Sequence, residues 1–115
     1  MPWATNFAGL YKRATRVEPF SLPPRWLEKK RALNQKTEFD FVTTNDTHGG
    51  NSGSPTVDAK GEVIGILFDG NIEGLPNRFV YREERERSVH VASQAIVEAL
   101  RKVYGAECIV RELGL

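Results

Sequence analysis

The stretch THGGNSGSP, residues 47–55, gathers three glycines, an asparagine, a second serine and a proline around Ser52. Glycine reaches backbone conformations that other residues avoid, so such a loop can turn successive amides toward one point. Amides of this kind next to a hydroxyl are what an oxyanion hole needs. A plain glycine-rich turn in a β-protein is the alternative interpretation. The loop has no Lys-Ser/Thr of a nucleotide-binding loop and no Gly-x-Ser-x-Gly elbow.

The segments on both sides of this loop predict β-structure. EFDFVTT (38–44) alternates and is rich in strand-forming residues, so it predicts a strand. After the loop, SPTVD and EVIGILFD predict a hairpin that turns at Gly61. Residues 70–77 read as a loop, and 78–81 and 87–92 as two further short strands.

Helices are predicted before and after this β-region. Residues 1–22 predict loop with at most one short helical turn, and 24–35 predict a helix that Pro24 can open. An apolar stripe at helical spacing predicts a helix over 93–104, with Ser93 as its cap and Gly105 as its end. A short final helix follows. The predicted organisation is a loop and helix (1–37), a β-segment (38–92) and a helical segment (93–115).

Composition narrows the range of functions. The 115 residues carry 16 basic and 15 acidic side chains, a net charge of +1, which gives no reason to expect nucleic acid. No apolar run approaches the roughly 20 residues of a membrane helix, and the N-terminus lacks a signal-peptide pattern. Cys108 is the only cysteine, and His48 and His90 are the only histidines. We therefore expect no disulfide, no metal site and no cofactor.

The loop and its flanks resemble one peptidase family. GGNSGSP (49–55) is similar to the nucleophile loop of chymotrypsin-fold serine peptidases, and an Asn-Ser-Gly-Ser form also occurs in glutamyl endopeptidases. The longer stretches are more specific: FDFVTTNDTHGGNSGSPTVDAKGEVIGILFDGN (39–71) and ALRKVYGAECIVREL (99–113) resemble the C-terminal part of the bacterial dipeptidyl-peptidase 7 and 11 family. The resemblance implies the C-terminal half of a chymotrypsin-like double β-barrel with flanking helices.

The resemblance also implies roles for individual residues. Ser52 would be the nucleophile, and the amides of Gly50 and Ser52 would form the oxyanion hole. The strand end FDGN (Phe68, Asp69, Gly70 and Asn71) would line the substrate cleft. In the family, glycine after Phe-Asp accompanies apolar second substrate residues and arginine accompanies acidic ones, so Gly70 implies an apolar preference. The expected substrate is a peptide with a free N-terminus.

The family's catalytic histidine and aspartate lie upstream of the serine, outside these 115 residues. The chain is therefore expected to be a fragment that is inactive alone and needs the missing N-terminal part of the same peptidase. By itself it would expose an apolar face and aggregate or oligomerise. Family resemblance further implies a periplasmic or secreted homodimer.

Three polar residues are open to a second interpretation: His48 and Asp46 near the motif, and His90 in a later strand. His48 is interpreted as an exposed loop residue rather than a base for Ser52, and His90 as a solvent-facing or core-edge strand residue. By spacing alone, Asp46 suggests a pocket floor selective for basic side chains, but a loop-capping role is favoured. The alternative function for the whole chain is a non-catalytic β-domain that serves as a binding or scaffold module.

Overall fold

The computed structural model describes residues 4–71 and 87–115. The predicted strand over 78–81 and most of the predicted loop over 70–77 lie outside these residues. The described chain divides into two compact units, one comprising Ala4 and the described part of 40–93, the other residues 5–39 and 94–115. In chain order the elements are β1 (Ala4–Asn6), α1 (Phe7–Arg13), α2 (Pro24–Glu28), β2 (Glu38–Thr43), β3 (Pro55–Val57), β4 (Val63–Gly70), β5 (Ser88–Ala92), α3 (Ser93–Lys102) and α4 (Glu107–Glu112).

The strands form one sheet in the order β1-β2-β5-β4-β3. The pairs β2–β5, β4–β5 and β3–β4 are antiparallel. The predicted hairpin is confirmed as β3 and β4, and it turns at Gly61, whose φ of 82° needs glycine. The strand predicted over 87–92 is confirmed as β5, which lies between β2 and β4.

One face of this sheet is buried, and three strands contribute to its centre. Phe41 of β2, His90 of β5 and Leu67 of β4 lie opposite one another in the register and are 8%, 2% and 6% exposed. Next to them, a Cβ on Gly65 would lie 2.6 Å from Phe41 Cε1 and 2.7 Å from the Val91 carbonyl oxygen. The missing side chain at Gly65 therefore makes room for the Phe41 ring.

The second unit begins with a helix where the sequence predicted mostly loop. Asn6 caps α1, since its Oδ1 accepts a hydrogen bond of 3.0 Å from the Gly9 amide. Phe7 is fully buried, and Tyr11 donates a hydrogen bond of 2.7 Å to the carbonyl oxygen of Trp26. A cap and two buried aromatics on one face explain why this short segment is helical.

The helix predicted over 24–35 is wrong in its length, because α2 ends at Glu28. Two prolines open α2, but no side chain caps it, and the chain leaves the helix through turns. Leu33 is nevertheless buried, at 4% exposure, so the apolar spacing identified a core residue outside the helix. The Asn34 amide, which would have continued the helix, donates to Glu98 Oε1 at 2.7 Å.

Two C-terminal helices form, but α3 includes Ser93, its predicted cap, and ends at Lys102, two residues earlier than predicted. α3 carries a carboxylate with several partners. Glu98 accepts the Asn34 amide and pairs with Lys102 at 3.0 Å. Burial opposes ionisation of Glu98, but the Asn34 amide and Lys102 outweigh it and hold its pKa below the ordinary value. Gly105, at φ 60°, follows α3. No helix in the described part of the chain is long and apolar enough to cross a membrane.

Candidate active site

The loop that carries Ser52 spans residues 44–54 and joins β2 to β3. Gly50 and Gly53 have φ values of 100° and 88°, a region that side chains disfavour. A Cβ at either position would meet no atom of residues 4–71 or 87–115 within 4 Å. Glycine is therefore required at these two positions by the backbone conformation and not by lack of space.

Backbone and side-chain hydrogen bonds fix the shape of this loop. Asn51 closes a turn on His48, with its amide donating to the His48 carbonyl at 3.1 Å and its Oδ1 accepting the His48 amide at 3.0 Å. Beyond Ser52, the Gly53 amide donates to the Leu67 carbonyl at 2.8 Å, and the Leu67 amide donates to the Ser54 carbonyl at 3.0 Å. The loop is thus tied to β4 immediately after the serine.

The amides of Gly50 and Ser52 differ from those of Asn51 and Gly53. Asn51 and Gly53 donate to carbonyl oxygens, whereas neither Gly50 nor Ser52 has a backbone donor bond to any residue within 4–71 and 87–115. Both residues are exposed. Two available donors beside an exposed hydroxyl can bind a negatively charged oxygen, as an oxyanion hole does. Their convergence on one point stays a prediction.

His48 and Asp46 both lie exposed in this loop. The His48 Nδ1 lies 3.1 Å from the carbonyl oxygen of Gly49, the next residue. Within the described ranges, no hydrogen bond joins His48 or any other base to Ser52. Nothing in this part of the chain therefore activates the hydroxyl, and a serine without a base is a poor nucleophile.

The predicted cleft residues lie at the end of β4, where the strand carries a bulge. Leu67 and Asp69 pair with consecutive residues of β5, so Phe68 is the extra residue, and it is 49% exposed. Gly70 is exposed, and its amide donates to Asp69 Oδ1 at 2.8 Å. The bulge turns the large apolar side chain of Phe68 to the surface, two residues before Gly70, which has no side chain.

Asn71 closes the end of this strand pair. Its amide donates to the Arg87 carbonyl at 3.0 Å, and its Oδ1 accepts the Arg87 amide at 2.9 Å. These bonds hold the strand end that carries Gly70. They give the Asn71 side chain a structural contact besides its predicted place in the cleft.

His90 was predicted to face solvent or the edge of the core, and this is wrong. It is 2% exposed, and its ring stacks on Phe41 at a centroid distance of 5.0 Å and an interplanar angle of 13°. Its Nε2 lies 2.7 Å from Thr43 Oγ1 and its Nδ1 lies 2.6 Å from Thr56 Oγ1. Burial lowers the pKa of the imidazole, which favours the neutral ring.

Sequence alternation placed His90 on the face opposite Val89 and Val91, which is correct, but it could not tell which face is buried. The buried positions of β5 are Ser88, His90 and Ala92, while the two valines are half-buried. The small residues on either side of His90 were the available signal. They leave room for a ring between them.

Within the described residues, no group of three His, Cys, Asp or Glu side chains could hold a metal ion. The chemistry that this region can support is that of an exposed hydroxyl next to available amides. The base that would complete it is not among the residues described.

Comparison with known proteins gives consistent matches. A model of the family described as Peptidase S46 matches residues 1–115. Dipeptidyl-peptidase 7 of Capnocytophaga gingivalis is 33% identical over 104 residues, covering 84% of this chain and 14% of that protein. The Asp/Glu-specific dipeptidyl-peptidase of Shewanella putrefaciens is 35% identical over 89 residues, covering 77% and 12%.

Among solved structures, that of Porphyromonas endodontalis DPP11 in complex with the dipeptide Arg-Asp matches with a TM-score of 0.85 at 24% identity. The match covers 95% of this chain and 17% of that one, so the two share a fold over nearly the whole length of this chain. The chain spans less than a fifth of the length of each of these relatives.

Proposed function

Since the chain belongs to the peptidase S46 family, we propose that it carries the nucleophile loop of a serine dipeptidyl peptidase, which releases dipeptides from the free N-terminus of a peptide. The observation that carries this proposal is the loop around Ser52. Ser52 is exposed, and the amides of Gly50 and Ser52 have no backbone acceptor among the described residues, while the amides of Asn51 and Gly53 are bonded.

The proposed reaction follows from this arrangement. Ser52 Oγ attacks the carbonyl carbon of the second substrate residue while a base takes the hydroxyl proton. The amides of Gly50 and Ser52 stabilise the oxyanion, a contribution for which one donor is typically worth about 10²–10³ in kcat. The base then protonates the leaving amine, and water hydrolyses the acyl-enzyme that remains.

We propose that the base and its acidic partner come from parts of the intact natural protein outside these 115 residues, in the order His, Asp, Ser. The exposed His48 has no bond to Ser52, which supports this view. The 115 residues alone are then expected to be inactive.

The direct test is labelling by a fluorophosphonate probe in the intact natural protein, meaning the whole polypeptide in which these residues occur. We expect labelling and dipeptide release in the wild type, and loss of both in Ser52→Ala. Ser54→Ala is the matched control, because Ser54 lies in the same loop and bonds the other described residues only through its backbone. Its amide donates to the Asn51 carbonyl at 3.0 Å, and its carbonyl accepts from the Leu67 amide. Labelling that persists in Ser52→Ala would refute the assignment, and an unreactive wild type would favour a binding module.

We propose that Phe68, Asp69, Gly70 and Asn71 line the cleft and that the preferred second substrate residue is apolar. Among the described residues, a Cβ on Gly70 would have one neighbour within 4 Å, the Arg87 carbonyl oxygen at 3.6 Å, and the glycine supplies no charge for an acidic side chain. Gly70→Arg is expected to shift kcat/KM from apolar toward acidic second residues, with Gly70→Ala as the control for added volume without charge. An unchanged ratio in Gly70→Arg would remove Gly70 from the specificity site.

We also propose, from family resemblance, that the intact protein acts in the periplasm or outside the cell as a homodimer. Cell fractionation and the mass measured by light scattering test the two parts separately. A cytoplasmic location would contradict the first part, and a monomer at working concentration the second.

A further inference from the structure

A single buried side chain contacts both ends of the segment that holds Ser52. Thr43 is the last residue of β2 before the loop, and Thr56 is the second residue of β3 after it. The two ring nitrogens of His90 lie 2.7 Å and 2.6 Å from their hydroxyl oxygens. The imidazole thus bridges two points 13 residues apart in sequence (56 minus 43), on either side of the nucleophile loop.

The bridge requires the ring of His90 to cross a strand. In the sheet β4 lies between β5 and β3, so a side chain from β5 must cover β4 before it reaches Thr56. At that place β4 has Gly65, which pairs with Thr56 on one side and with Ala92 on the other. Gly65 has no side chain that would block the path of the His90 ring across β4. The Phe41 ring packs over Gly65 and stacks on the His90 ring.

The hydrogen-bond chemistry of the bridge is complete. A neutral imidazole has one N–H donor and one acceptor nitrogen, and a threonine hydroxyl can fill either role. One threonine therefore accepts from His90 while the other donates to it, and neither ring nitrogen is left unsatisfied in a buried place. An apolar residue of similar size could fill this volume but could not join the two loop ends.

A second residue of β5 holds the first half of the loop in the same way. Ser88 is 2% exposed, and its hydroxyl donates to the Asn45 carbonyl at 2.9 Å. Its Oγ also lies 2.5 Å from Thr47 Oγ1. Side chains on one face of β5 thus hold the loop at Asn45 and Thr47 and its flanking residues Thr43 and Thr56, and β4 holds the loop at Gly53 and Ser54.

We propose that His90 is a positioning residue for the nucleophile: it fixes the spacing of the two loop ends and so keeps the hydroxyl of Ser52 and the amide of Gly50 in their working arrangement. The inference rests on the proposed peptidase function. A displacement of about 0.5 Å at a catalytic group already impairs reaction, so a bridge that sets this spacing acts on kcat.

The test replaces one hydroxyl of the bridge in the intact natural protein. Thr56→Val removes the hydroxyl at nearly constant volume, whereas Thr56→Ser keeps it. We expect Thr56→Val to lower kcat about tenfold with KM changed less than twofold, the scale of one lost hydrogen bond expressed in the transition state, and Thr56→Ser to restore most of the rate. Thr15→Val, which removes an exposed hydroxyl bonded to Val17, controls for the exchange itself.

A spectroscopic readout accompanies the kinetics. Nitrogen-15 shifts of the His90 ring in the histidine-labelled protein are expected to show one protonated and one unprotonated nitrogen at pH 8, and to change in Thr56→Val. If Thr56→Val does not fold, the pair Thr43→Val and Thr43→Ser makes the same test at the other nitrogen.

The two proposals can fail separately. Equal kcat in the valine and serine variants of an active enzyme would overturn the positioning role and leave the peptidase intact. Rapid exchange of the His90 ring N–H proton with water would overturn the positioning role as well. A wild type that is unreactive toward both the fluorophosphonate and dipeptidyl substrates would overturn the proposed function, and the positioning role with it.

Discussion

Replacing Gly65 by alanine should destabilise the sheet that holds the loop around Ser52. The new methyl carbon would lie 2.6 Å from Phe41 Cε1, 2.7 Å from Phe41 Cζ and 2.7 Å from the Val91 carbonyl oxygen. The ring can rotate away only by losing its stacking on His90, and the carbonyl belongs to the backbone of the neighbouring strand. Neither contact can relax freely.

The expected size of the effect combines two terms. Overpacking by a methyl group in a well-packed site costs about 1–3 kcal/mol. Replacing glycine by alanine also restricts the unfolded chain, which returns about 0.4–1 kcal/mol. We therefore expect the free energy of unfolding to fall by about 1–2 kcal/mol in Gly65→Ala.

Hydrogen exchange of β4 and β5 in increasing urea measures this change in the intact natural protein. The matched control is Gly70→Ala in the same strand, where the new Cβ would lie 3.6 Å from the Arg87 carbonyl oxygen, an ordinary contact. That variant should be neutral or slightly more stable. A Gly65→Ala variant as stable as Gly70→Ala would refute the packing argument. In a Phe41→Leu background, the cost of Gly65→Ala should shrink but persist, since the clash with Val91 remains.

Three further perturbations have defined outcomes. Gly53→Ala should lower dipeptide release at least tenfold while the protein stays folded, because alanine is strained at φ 88° and the Ser52 turn must shift; unchanged kcat would contradict this. Asn6→Ala should cost about 1 kcal/mol in unfolding experiments by removing the cap of α1, and Asn6→Asp should restore it. Glu98→Gln should lower the free energy of unfolding above pH 4.5, the ordinary pKa of a glutamate side chain. This loss should vanish as the pH falls through the lowered pKa of Glu98, because the wild-type carboxylate is then protonated. A loss that does not change with pH would refute the ionic role.

Local patterns predicted the elements whose burial agrees with their periodicity. β2, the β3–β4 hairpin and β5 were found from alternation and turn residues, and α3 from its apolar stripe, since each of these segments repeats its residue types at the period of its own element. The matches to the dipeptidyl peptidases confirm the family resemblance first seen in residues 39–71 and 99–113.

The incorrect helix predictions share a physical cause: the conformation of each segment depends on residues distant in sequence. The helix predicted to Gln35 stops at Glu28, and the amide of Asn34 is bound by Glu98, 64 positions away. The segment 7–13 is helical because Phe7 and Tyr11 are buried by the second unit's own core, which its weak periodicity did not reveal.

The sequence alone determined the glycine-rich loop around Ser52, because the need for glycine at positive φ is a local property that the residue types show directly. It also determined the family, through stretches long enough to be specific. Only the tertiary structure decided which face of β5 is buried, since alternation shows which residues share a face but not which face packs against the core. Burial of that face makes His90, and not the exposed His48, the histidine that bridges the two ends of the loop.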